Sequence, residues 1–154
     1  MKLVAASKLR KAQMAITTLR PYASKLREIT QNLSETMEST EEAIYAQERE
    51  VEKVLLVVVT SNRGLCGPFN ANIIKETIRR LEGTYNDHHA KGNVELYCIG
   101  KKGAEYFKKR NYNVYKTDLE LFEGLTFENS SKIAVELMGL FASAKYDHIE
   151  IVYN

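Results

Sequence analysis

The sequence predicts an α/β chain in two parts: a long coiled-coil helix over residues 1–50, then a mostly parallel sheet flanked by helices over 51–154. Three observations predict it. Val54 to Val59 is a β-branched, wholly apolar run without alternation, the signature of a strand buried on both faces. A short loop with Gly64 and Gly67 then turns the chain into a helical pattern through Ile73, Ile74, Thr77, Ile78 and Leu81. Ahead of both lies an apolar stripe at heptad spacing. Strand, glycine loop and helix make the first unit of a Rossmann-like sheet, whose ligands gather at the carboxyl ends of its strands.

In the helix, Leu9, Ile16, Leu19, Leu26, Leu33 and Met37 fall on the a and d positions of one heptad frame, with Ala5, Ala12 and Ala23 filling others. Small residues in such a seam let a partner helix approach closely. About 30 helical residues already reach about 45 Å, longer than a domain of this size, so the stripe calls for a partner helix. Pro21 is expected to bend the helix or loosen the turn before it. Charge divides the same stretch. Lys2, Lys8, Arg10, Lys11, Arg20, Lys25 and Arg27 precede the first acid, Glu28, and glutamates dominate from Glu35 to Glu52.

Further along, Asn86 to Gly92 reads as a polar loop and Val94 to Ile99 as the second strand. Gly100-Lys101-Lys102-Gly103 turns into a short helix, Ala104 to Arg110; its glycines serve either a phosphate or the joint's geometry, and geometry is the favoured reading. Asn113 to Lys116 is a short third strand. Ser130 to Ala144 is helical, burying Ile133, Ala134, Leu137, Leu140 and Phe141, and His148 to Tyr153 is the last strand. Strands alternating with helices give a doubly wound sheet of four or five strands.

Composition narrows the class. At 154 residues, 44% hydrophobic and 27% charged, the chain can bury one core. A formal charge of +2 does not by itself argue for nucleic acid. Cys66 and Cys98 show no metal or C-x-x-C spacing and point to a reducing compartment. No apolar run approaches a membrane span, and the basic start continues into charged helix rather than a signal-peptide core.

The glycine loop is the candidate site. Gly64-x-x-Gly67 lacks the third glycine of a dinucleotide loop and the Lys-Ser/Thr pair of a phosphate loop, and no acid ends the second strand. Cys66 beside Arg63 admits a reading as an activated thiolate, but His88 and His89 lie in a polar loop, and a structural cysteine is favoured. Two rivals stay open on residues alone: a nucleotide-binding enzyme using the Gly64–Gly67 loop, and a nucleic-acid or membrane-surface module using the basic helix. The apolar stripe on that helix tells against the second, since a simple basic arm does not need it.

Ser61-Asn62-Arg63-Gly64-Leu65-Cys66-Gly67-Pro68-Phe69-Asn70 resembles the S-D-[RK]-G-L-C-G-x-[FY]-N stretch of the gamma subunits of F-type ATP synthases. Met1 to Gln13 resembles the M-x-M-V-A-A-x-K-[LM]-R-[KR]-[AS]-Q helix of that family; Arg20-Pro21-Tyr22 and Val152-Tyr153-Asn154 fit too. Asn62 stands where the family has Asp, and the family's first helical turns and long carboxyl-terminal helix are not in this sequence, which reads as a fragment. The resemblance implies a rotor subunit of the central stalk, without catalytic residues or cofactor, carrying torque between a membrane-embedded c-ring and a ring of alpha and beta subunits. It implies a subunit-contact set of Lys8, Arg10 and Lys11 on the helix and Arg63, Gly64, Leu65, Cys66 and Gly67 in the loop, both facing acidic parts of beta subunits. An epsilon-type subunit is a further partner, and nucleic acid is not one. The implied place is the cytoplasmic face of a bacterial inner membrane, or the matrix or stromal face of an organelle membrane. A chain carrying only this half of the shaft is expected to associate with itself through the helix.

Overall fold

A computed structural model describes residues 2–36, 44–45 and 49–154. By its internal contacts the chain divides into two units, Met1–Gln47 and Glu48–Asn154. The first contains helix α1, Lys2–Thr36, which continues through Pro21. Residues 3–32 are all exposed. Arg49 and Glu50 are not helical, and Met37, the last seam residue, lies outside the described residues. Thr17 and Thr18 turn their hydroxyls back to the carbonyls of Gln13 and Met14, satisfying themselves where the helix surface offers no neighbour.

The second unit is a four-stranded parallel sheet, β1 Val54–Val59, β2 Val94–Ile99, β3 Val114–Asp118 and β4 His148–Val152, in the order β3-β2-β1-β4. Helices α2 Phe69–Glu82, α3 Asn86–Ala90, α4 Lys101–Lys109 and α5 Phe127–Ala142 connect the strands. β1 is central and buried as its composition demands, with Val54 to Val58 at 0–1% exposure. Alternate residues serve two cores. Val54, Leu56 and Val58 pack with Ile73 and Leu81 of α2 and Phe107 of α4. Leu55 and Val57 pack with Tyr97, Ile99 and Tyr146, against Ile133, Leu137 and Leu140 of α5.

Some boundaries differ from those the sequence suggests. The polar segment 86–92 holds the short helix α3, in which His88 Nε2 lies 2.8 Å from the Val51 carbonyl and His89 stacks on Tyr112. Both histidines are thus positioned structurally. On α5 the expected buried face is only half-buried, and Ala134 is exposed. That helix begins at Phe127 because the Thr126 hydroxyl caps it, accepting from the Asn129 N–H at 3.3 Å.

Candidate functional site

The site grows from the carboxyl end of β1. Thr60 continues the strand, its N–H donating to the Ile99 carbonyl at 2.8 Å, and its hydroxyl accepts the Gly103 N–H at 2.8 Å. That close approach explains both glycines of Gly100-x-x-Gly103. A Cβ on Gly100 would lie 2.0 Å from the Thr60 carbonyl oxygen, at a φ of +96°, and one on Gly103 would lie 2.9 Å from the Thr60 hydroxyl. The amino-terminal donors of α4 are already used: Lys101 N–H by the Asn62 side-chain oxygen, Lys102 N–H by the Ser61 carbonyl and Gly103 N–H by Thr60. A phosphate at this helix end would find those donors spent.

Asn62 and Asn70 organise the loop. The Asn62 side-chain oxygen accepts from Lys101 N–H at 3.0 Å while its amide donates to the Leu119 carbonyl at 2.8 Å. One side chain thereby ties the exits of β1, β2 and β3 together. Asn70 accepts the Ser61 N–H at 2.9 Å through its oxygen; its amide donates to Ser61 Oγ at 2.9 Å and reaches Cys66 Sγ at 3.2 Å. Neither asparagine belongs to the contact set that the resemblance implies, although both lie within its motif. The signal was there, since Asn at a strand exit and in a first helical turn commonly bonds nearby backbone.

This scaffold presents Arg63, Gly64, Leu65, Cys66 and Gly67 outward, every one exposed. Leu65 and Gly67 both hold left-handed backbone, φ 60° and 59°. Only at Gly67 does that come without steric cost; Leu65 is in addition fully projected into solvent. An apolar side chain held out on a strained, braced turn suits contact with another surface. Beside the loop, Val59, Thr60, Asn62, Arg63, Phe69 and Phe122 line a cleft of about 550 Å³. Its place, at the carboxyl end of β1, where the chain passes to β2 on one side and returns to β4 on the other, is where open α/β sheets form crevices.

The two cysteines differ sharply. Cys66 is exposed; Cys98 is fully buried, and desolvation pushes its thiol up to about 12. A maleimide at neutral pH is expected to label one thiol per folded chain rapidly, at Cys66, and the second only in denaturant. Mass spectrometry of a labelling time course checks this; rapid modification of both would contradict the burial. Among the described residues no group of three or more His, Cys, Asp and Glu is placed to hold a metal ion.

On α1, Lys8, Arg10 and Lys11 are all exposed. Lys8 and Lys11, three residues apart, share a face, and Arg10 lies on another flank. Leu9, Ile16, Leu19 and Leu26 are 60, 51, 65 and 51% exposed, and Leu33 continues the stripe in sequence. Among the described residues no helix is long and apolar enough to cross a membrane.

Against known proteins, the family model described as ATP synthase matches residues 1–154, the whole chain. The chain is 49% identical to the ATP synthase gamma chains of Christiangramia forsetii and of Flavobacterium johnsoniae, and 43% identical to that of Chlorobaculum parvum. It belongs to the ATP synthase gamma-chain family. Each of these alignments covers 100% of this chain but only 52, 52 and 53% of the respective relative, so the chain spans about half the length of the curated relatives it matches. As an ATP synthase gamma-family member it has the motifs of the helix and of the glycine loop in a single continuous match. Nothing in the site geometry favours a nucleotide-binding enzyme.

Proposed function

We propose that this chain acts as part of a central-stalk rotor subunit of an F-type ATP synthase, carrying torque between the membrane ion-driven ring and the catalytic alpha/beta hexamer. The observation that carries the reading is the unbroken match to gamma chains across both units. Its geometry supports the reading: a 35-residue helix with an uncovered apolar row asks for a second helix, and a torsion-bearing shaft is what the pair would make. Residues 1–50 then form half of the shaft, and 51–154 the foot, which meets the epsilon-type subunit and the c-ring. The assembly would lie peripherally on the cytoplasmic face of a bacterial inner membrane.

The role needs no chemistry from this chain. Lys8, Arg10 and Lys11 would meet acidic beta-subunit loops in turn as the shaft rotates, and Arg63 to Gly67 would press on a lower acidic surface. Exposed ion pairs are individually worth about 0–1 kcal/mol, which favours passage over capture. An eccentric surface of this kind biases the three beta sites through differential contact.

The test uses the complete subunit, with this segment, reconstituted with its alpha and beta partners and membrane sector. Neutralising Lys8, Arg10 and Lys11 together to glutamine is expected to lower protons pumped per ATP hydrolysed while leaving assembly intact; single changes should be mild. An unchanged ratio in the triple variant would remove the helix from the contact set. Cys66→Ser is expected to leave hydrolysis within about twofold, because the thiol has only loop neighbours and no positioned base. Abolished turnover in an assembled complex would overturn the non-catalytic reading.

A further inference from the structure

A chain with two soft dihedrals per residue cannot carry torsion by itself; what holds it must act off its axis. Residues 49–53, at the start of the second unit, are neither helix nor strand. They are nevertheless fixed from three places in the α/β unit. The Arg49 guanidinium donates to the Phe141 carbonyl, in the last turn of α5, at 3.0 Å and lies 4.5 Å from the centroid of the Phe141 ring. Asp147, between α5 and β4, accepts the Glu52 and Lys53 N–H groups on one carboxylate oxygen, at 3.1 and 2.9 Å. His88 of α3 lies 2.8 Å, through Nε2, from the Val51 carbonyl; since a carbonyl only accepts, that nitrogen carries the proton.

β1 does not depend on these bonds, because Val54 to Val59 pair with β2 and Val54 to Val58 with β4. The restraints act ahead of the strand, on the segment through which the chain enters the sheet. They also differ in kind. A cation at the carboxyl end of a helix is favoured by the helix dipole, and a carboxylate accepting two backbone N–H groups makes charge-assisted bonds. Asp147 is itself tied, its own N–H donating to the Lys53 carbonyl at 2.9 Å, so the two residues hold each other in both directions. The restraints come from both sides of the sheet. α5 covers one face, while α3 lies beside α2, which covers the other.

We infer that residues 49–53, held by Arg49, Asp147 and His88, are the anchor through which torsion passes between the preceding chain and the α/β unit. The inference rests on the rotor reading above, and the three side chains are positioning residues within it. Residues 49–53 have no helical ladder to stiffen them. Without the three restraints, an applied torque would turn φ and ψ in this segment instead of turning the sheet. Restraints from opposite faces resist twist in either sense, which a single bond would not.

Two measurements test it. In the 154-residue chain, the Glu52 and Lys53 amides are expected to exchange with solvent about tenfold faster in Asp147→Ala. They should stay near the parent rate in Asp147→Asn, which keeps an accepting oxygen. The Val54 amide, bonded to the Asn93 carbonyl, should not change in either variant. The second measurement uses the complete subunit, reconstituted with its alpha and beta partners and membrane sector. Arg49→Ala combined with Asp147→Ala should keep unloaded ATP hydrolysis near the parent rate and lose proton pumping against an imposed gradient. Arg49→Lys combined with Asp147→Asn should restore the pumping. Unchanged amide exchange would overturn the anchor. Faster exchange with pumping intact would overturn its part in torque and leave the rotor reading standing. A parent complex that hydrolyses ATP without pumping would remove the rotor reading, and the anchor with it. Should the double alanine variant fail to assemble, Arg49→Ala alone, which leaves the Asp147 bonds in place, decides the question by the same loss of pumping.

Discussion

Gly100→Ala is expected to destabilise the α/β unit by about 3 kcal/mol or more, the combined cost of a left-handed backbone and an overpacked contact. The new methyl would overlap a backbone carbonyl, Thr60 O at 2.0 Å, which cannot rotate away as a side chain would. The strand exit would have to separate from α4, breaking the Gly103-to-Thr60 bond as it moved. A fall in Tm of more than about 10 °C follows for a unit of this size. Gly103→Ala should cost less, because its obstruction is the Thr60 side chain. Gly139→Ala on α5 should be neutral or stabilising by up to about 1 kcal/mol, as nothing lies within 4 Å of its Cβ position. Thermal melts of the three variants give the ranking; Gly100→Ala melting with Gly139→Ala would contradict the packing.

The isolated chain is expected to pair through α1, most simply as an antiparallel dimer, at micromolar concentration. Leu9, Ile16, Leu19 and Leu26 all stand more than half in water. Burying such a side chain fully contributes about 1.5–3 kcal/mol. Replacing the four with glutamine should therefore weaken the pair by at least about 4 kcal/mol, roughly a thousandfold in Kd. Sedimentation velocity across a concentration series should show a dimer for the parent chain and a monomer for the variant, with unchanged melting of the α/β unit. A parent chain that stays monomeric at 100 μM would mean the stripe is not a pairing seam between copies.

How far the sequence exposes this structure depends on which force shapes each element. β1 and α2 are legible because burial imposes a pattern: unbroken apolarity for a strand covered on both faces, and 73, 74, 77, 78, 81 for a helix covered on one. α3 is not, since a five-residue helix with no buried side chain leaves no period to read. α4 begins earlier than expected because Gly103 looks like a breaker, whereas it is a contact point for Thr60. The candidate site divides likewise. Arg63 to Gly67 stand out by motif, and Asn70 braces them through bonds within the loop, to Ser61 and Cys66, but Asn62 acts across the sheet, on Lys101 and Leu119, and no local pattern encodes those partners.

The sheet order bears on how the molecule is made. The central strand leaves the ribosome early, yet its second neighbour, β4, pairs with it only when His148 to Val152 have been synthesised. Until then one edge of β1 and part of its apolar surface have no cover. At roughly 5–20 residues per second the interval lasts several seconds. Parallel pairing over such a separation also pays its loop-closure entropy before any contact rewards it. A nascent chain arrested before His148 should therefore be sticky and protease-sensitive, and a holdase that shields an open strand edge would have its natural client in that interval.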